Sequence, residues 1–194
     1  MNLATALAVS GKKVVLLEFD LRMPKVLSSL DIQQQQGLSN FVVSQIPVDE
    51  VIIPSGVHEN FSLIGSGVIP PNPAELILNK RVAFLMSELK KRFDYIIFDT
   101  PPVGLVTDAQ LLSRFADASI YIVRQGYTFK SQLQLLQEII NTGKIKNLNV
   151  VINGVKMKGR YGYGYGYGYG YGYGATSGYG YYGNGKNEKI PFYK

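Results

Sequence analysis

An α/β fold, with a mostly parallel sheet and helices on both faces, is what this 194-residue sequence predicts. Three observations carry that expectation. Short β-branched and aromatic runs alternate with segments of helical period along residues 1–155, an order that builds parallel sheets. Two of the apolar runs end in carboxylates followed by proline. These are Val14-Val15-Leu16-Leu17-Glu18-Phe19-Asp20-Leu21-Arg22-Met23-Pro24 and Tyr95-Ile96-Ile97-Phe98-Asp99-Thr100-Pro101-Pro102. Residues 156–194 depart from the pattern altogether and read as a disordered, Tyr/Gly-rich tail appended to a single domain.

The elements follow in order. Residues 2–9 are rich in Ala and Leu and read as the end of a helix stopped at Ser10-Gly11. Residues 13–19 are the first strand, and Val26 to Leu30 allows one helical turn. Gln33 to Gln36 is an exposed polar run. A helix is predicted over Leu38 to Ile46, starting near Ser39 or Asn40, and a short strand over Phe61 to Ile64, before Gly65-Ser66-Gly67. Pro73 suits the first position of a helix whose period runs on to Arg92, with a break near Asn79-Lys80-Arg81. Lys80, Arg81, Lys90, Lys91 and Arg92 read as a solvated face.

The run at 95–99 is too short for a helix and reads as a strand buried on both faces, which the prolines force out of the sheet. Asp99 then lies at the carboxyl end of a parallel strand, where open α/β sheets bind ligands. Glu18 and Asp20 alternate, so an extended chain points them the same way. Thr107 or Asp108 can cap the helix around Leu111 to Phe115. Ser119 to Val123 is a buried strand, Gln132 to Ile140 an amphipathic helix with Leu133, Leu136, Ile139 and Ile140 on one stripe, and Leu148 to Ile152 the last core strand. Asn153-Gly154 reads as a turn. His58, the single histidine, sits in a polar loop and reads as exposed.

Composition excludes several classes. There is no cysteine, so disulfides and thiolate metal sites are ruled out. No apolar run approaches the roughly 18 residues that span a bilayer, and no secretory signal is recognisable at the start. The net charge is +6, of which the tail from Lys156 to Lys194 carries +5, leaving the predicted domain nearly neutral. A folded nucleic-acid-binding face needs denser basic charge, so no nucleic-acid partner is expected.

The two strand-end motifs resemble the Walker A′ and Walker B motifs of bacterial tyrosine kinases, the cytoplasmic autokinase domains of exopolysaccharide chain-length proteins. Leu16-Leu17 lead into Glu18-x-Asp20-x-Arg22, with Glu where the family has its first Asp. Ile96-Ile97-Phe98-Asp99 and Pro102 match the second motif, and Asn72-Pro73-Ala74-Glu75-Leu76 matches a further stretch. The resemblance implies a P-loop NTPase-like, deviant-Walker fold with ATP and Mg²⁺ as cofactors. It implies Asp20 as catalytic base or metal positioner, Asp99 as metal ligand, Glu18 assisting, and Arg22 near the phosphates or a subunit contact. Asp108 would face the phosphate end of the nucleotide, beside its alternative as a cap, and Asn153 would touch the adenine. Implied partners are a homo-oligomeric ring, an upstream membrane and periplasmic part of the same protein, and a tyrosine phosphatase. The implied location of the full-length protein is the cytoplasmic face of the bacterial inner membrane.

No Gly-x-x-x-x-Gly-Lys-[Ser/Thr] loop occurs in the sequence. The resemblance therefore begins just after the phosphate-binding loop, and the chain is expected to be an N-terminally truncated reading of a longer protein, poor in phosphoryl transfer by itself.

The tail holds Tyr161, Tyr163, Tyr165, Tyr167, Tyr169, Tyr171 and Tyr173 in strict alternation with glycine, then Tyr179, Tyr181, Tyr182 and Tyr193. Glycine at every second position makes an ordered strand costly. An adhesive low-complexity tract is one reading. The resemblance implies the other: a cluster of phosphoacceptors modified by neighbouring subunits. A partition-type (ParA/MinD) deviant-Walker ATPase would not need this tail, and a non-catalytic module that presents it to a complete kinase would need nothing else.

Overall fold

The computed structural model describes residues 1–33, 36–104 and 106–155. These fall into two compact units, one formed by Met1–Ser119 with Gly143–Asn147, the other by Ile120–Thr142 with the segment from Leu148.

The first unit is built on a four-stranded sheet of β1 (Val14–Glu18), β2 (Ile53–Pro54), β3 (Phe61–Ile64) and β4 (Tyr95–Asp99), in the order β2-β3-β1-β4. β1 runs parallel to both β3 and β4, while β2 pairs antiparallel with β3. This short edge strand was not foreseen. Its Pro54 donates no ladder hydrogen bond, which confines such a residue to a sheet edge.

β1 is buried along its whole length, as its unbroken apolar run requires. Its side chains divide by alternation. Val14 and Leu16 pack with Phe61 and Leu63 beneath α1 (Asn2–Val9), which contributes Ala4 and Ala8. Val15 and Leu17 face the other way, into a larger core with α2 (Leu38–Val43), α3 (Pro73–Leu78), α4 (Lys80–Leu89) and α5 (Asp108–Leu112). Helices thus cover both faces.

The helix break foreseen near residue 79 is present. Asn79 ends α3 and caps α4, its side chain accepting the Arg81 N–H at 2.9 Å. Of the apolar period in α4, Val82, Leu85, Met86 and Leu89 are buried, but Phe84 is exposed. α2 is shorter than predicted and begins after Gly37.

The expectation for β4 needs correction. It is not buried on both faces: Tyr95 and Asp99 are exposed and the residues between are half-buried. β4 pairs with β1 on one side, and no other described strand borders it.

In the second unit β5 (Ser119–Arg124) pairs with β6 (Leu148–Asn153), and α6 (Lys130–Thr142) buries Leu136 and Ile139. The Ser119 N–H donates to the Asn147 carbonyl and the Gln125 N–H to that of Asn153, so the two strands run in the same sense. Neither is the buried core strand predicted. Ile120, Ile122, Val150, Val151 and Ile152 are exposed, because this two-stranded sheet has too few partners to cover both faces.

Candidate active site

Parallel register brings the two motifs together. Val14 lies opposite Tyr95, and four residues later Glu18 lies opposite Asp99. Both acids follow the parity of Leu16 and Ile97, on the α1 side of the sheet. Beyond the strands the Phe19 N–H donates to the Asp99 carbonyl at 2.8 Å, and Phe19 meets Phe98 edge to face at 5.6 Å between centroids.

Glu18 is 1% exposed, and both carboxylate oxygens are held by backbone. Oε1 accepts the Val26 N–H at 2.5 Å and Oε2 the Ser66 N–H at 3.4 Å. Ser66 lies in the Gly65-Ser66-Gly67 loop that follows β3. The Gly65 and Ser66 carbonyls accept the Leu38 and Ser39 N–H groups at 2.9 and 3.0 Å, closing the start of α2. Asn40 reaches back to the Gly37 N–H at 3.1 Å. A Cβ on Gly37 would stand 2.3 Å from the Gly65 carbonyl oxygen, so this close approach demands glycine. The readable signal was a Gly-Ser-Gly directly after a strand together with a glycine directly before Leu38.

Asp20 lies past the strand and folds its turn: Oδ1 accepts the Met23 N–H at 3.1 Å and the Arg22 N–H at 3.4 Å. Asp99 is exposed at its strand end, yet surrounding protein desolvates it and raises its pKa above the ordinary 3.8. The charges of Glu18 and Asp20 push it the same way, and the α-amino group of Met1 opposes them. The strand ends therefore form a pool of negative charge.

Asp108 does not cap α5. The cap position is Thr107, which makes no side-chain cap bond, and Asp108 is the first helical residue. Its side chain is 1% exposed and lies 3.5 Å from Arg22 Nε, so two residues considered separately in the sequence form an ion pair. Asn153 belongs to the second unit, where its Oδ1 accepts the Gly154 N–H at 2.7 Å, a turn contact. His58 Nδ1 accepts the Asn60 N–H at 3.1 Å and so shapes its own loop. Tyr161, Tyr163, Tyr165, Tyr167, Tyr169, Tyr171, Tyr173, Tyr179, Tyr181, Tyr182 and Tyr193 lie outside the described residues.

Among the described residues no three His, Asp or Glu side chains converge to form a metal cage. Mg²⁺ is commonly held by one or two carboxylates with water and substrate phosphates, and Asp99 and Asp20 are the residues that could hold such an ion.

A mostly parallel sheet with helices on both faces and acidic residues at the ends of adjacent strands defines a P-loop NTPase-like fold of the deviant-Walker kind. The family described as an AAA domain matches residues 1–154. Within that class, the chain belongs to the bacterial tyrosine-protein kinases. It is 37% identical over 186 residues to the tyrosine-protein kinase YwqD of Bacillus subtilis, covering 96% of this chain and 71% of that protein. The kinase domain of the Escherichia coli tyrosine kinase ETK superposes with a TM-score of 0.73 at 29% identity, over 85% of this chain and 64% of that one. The MinD cell division protein of Aquifex aeolicus is more distant, at 0.60 and 21% identity over 80% of this chain and 62% of that one, and shares the fold alone. Some curated relatives are much longer, and the chain spans as little as 21% of their length.

Proposed function

We propose that this chain is the catalytic portion of an ATP- and Mg²⁺-dependent protein-tyrosine autokinase that controls synthesis and export of an extracellular polysaccharide. The observation that carries the reading is the register of Glu18 against Asp99, with Asp20 two residues beyond, in a chain of this family. Asp99 and Asp20 are the residues that would hold the metal. A Mg²⁺ ion held there with the nucleotide would supply charge neutralisation for the transferring phosphoryl group. Asp20 accepts the proton of the attacking tyrosine, and Glu18 sets the loops around it. Arg22, half-exposed beside the acids, contacts phosphoryl oxygens.

The acceptors are the eleven tail tyrosines named above, presented to a neighbouring subunit of a ring and cleared by a tyrosine phosphatase. Each phosphate adds roughly −1.5 to −2 charge, so four or five would turn the basic tail acidic and repel it from the carboxylates. In the full-length protein the domain lies at the cytoplasmic face of the inner membrane, next to an upstream membrane part. No helix among the described residues is itself long and apolar enough to cross a membrane. The second reading is a tail-presenting module without catalysis of its own.

Intact mass after incubation with Mg²⁺-ATP, alone and with a complete family member, separates the two. Phosphate adducts on tail tyrosines from the chain alone establish the kinase. Adducts only in the presence of the complete member establish the module. No adducts in either arm would refute the acceptor role of the tail.

A further inference from the structure

Asp108 is the least explained charged residue of the first unit. It is wholly buried, and neither oxygen has a hydrogen-bond partner among the described residues. Buried carboxylates are ordinarily paired and hydrogen-bonded. The capping role that would have explained it is ruled out by its place inside α5. What it does have is a guanidinium: Arg22 Nε lies 3.5 Å from Oδ2.

Arg22 is the opposite case. Its side chain is 43% exposed. Its backbone N–H is tied to Asp20 Oδ1, so its base belongs to the carboxylate cluster, while its head is tied to the first residue of α5. Arginine carries five N–H donors in a planar fork, and the contact with Asp108 runs through Nε. The two Nη groups are the part of the fork that matches a phosphoryl group bidentately.

We propose that Asp108 is a positioning residue that anchors Arg22 through Nε, so that a half-exposed guanidinium is held beside the strand-end carboxylates to receive a phosphoryl group. The proposal rests on the nucleotide-dependent kinase reading for the identity of the anion, but the anchoring stands by itself. It joins the exit loop of the first motif to the start of α5, the helix that follows the second. A shift of either moves the guanidinium relative to Asp20 and Asp99.

The test is arginine side-chain NMR on the ¹⁵N-labelled full chain. The Arg22 Nε–Hε signal, assigned by its loss in Arg22→Lys, is expected to exchange slowly with water. Asp108→Asn should speed that exchange at least tenfold, with partial recovery in Asp108→Glu. Asp49→Asn, which breaks the remote pair with Arg92, should change the Arg92 signal and not that of Arg22. An Arg22 signal unaffected by Asp108→Asn overturns the proposal. If Asp108→Asn does not fold, the reciprocal Arg22→Gln is read at the Asp108 carboxylate ¹³C shift, and an unchanged shift overturns it equally. Mg²⁺-ADP is then added to the wild type, where the Arg22 Nη signals should move, with an affinity about tenfold weaker in Asp108→Asn. Absence of any Mg²⁺-ADP binding by the wild type would remove the nucleotide reading and leave the exchange result to decide the anchoring.

Discussion

Replacing Glu18 by aspartate should damage this protein. Glu18 spans from the end of β1 to two backbone donors, Val26 N–H at 2.5 Å and Ser66 N–H at 3.4 Å, at 1% exposure. Glu18→Asp shortens the side chain by one methylene, so one carboxylate can no longer reach both. A hydrogen bond to a charged acceptor contributes about 1.5–3 kcal/mol, and a buried N–H left unmade costs about 1–3 kcal/mol. A loss of about 2 kcal/mol is therefore expected. In a domain of this size that lowers Tm by about 4–8 °C. The assay is thermal unfolding by circular dichroism, paired with amide hydrogen exchange. If the two amides are protected through Glu18, the same 2 kcal/mol speeds exchange at Val26 and Ser66 by about thirtyfold. Unchanged Tm and unchanged protection at both amides in Glu18→Asp would refute the clamp.

Two further outcomes follow from the same region. Asp99 has a folded pKa above its ordinary 3.8, so it binds its proton more tightly folded than unfolded, and stability falls as pH rises from 3.8 through the raised value. Asp99→Asn removes that liability: its Tm should exceed the wild type's at pH 7, and the gain should vanish below pH 3.8, whereas a gain that persists at low pH would show that charge is not the cause. Gly37→Ala places a Cβ 2.3 Å from the Gly65 carbonyl oxygen and the Gly67 nitrogen, both backbone atoms that cannot swing away. Overpacking of this kind costs about 1–3 kcal/mol, so Tm should fall by several degrees, and wild-type stability would show that the loop opens freely.

Much of this was legible in the sequence because it depends on local rules. β1 and β4 are unbroken apolar runs ended by an acid, Pro73 opens a helix, and Asn79 divides one apolar period into two helices. The alternation that sorts Val14 and Leu16 from Val15 and Leu17 is a strand property, and so is the placing of Glu18 level with Asp99 once the strands pair. What escaped depends on partners far along the chain. Nothing near Glu18 announces that Ser66 will meet it 48 residues later, or that Arg22 will reach Asp108. Asp108 misled because an acid before a helix is so often a cap, and only its depth shows otherwise. β4, β5 and β6 were read as buried because they are apolar. Apolar sequence sets the tendency to be covered, but the number of neighbouring strands sets whether cover exists.

The pairing of β1 with β4 starts at a fixed point. Lys13 and Asp94 bind each other across the strands: the Lys13 N–H donates to Asp94 Oδ2 at 2.8 Å, and the Lys13 carbonyl accepts the N–H groups of Asp94 and Tyr95 at 2.9 and 3.1 Å. From that peg the chain counts off five residues on each side to Glu18 and Asp99. The distance from peg to acid behaves as an address. Loops outside these stretches can grow or shrink, but one residue inserted directly after Tyr95 would deliver the carboxylate to the opposite face, that of Phe19, and put Phe98 in its former place.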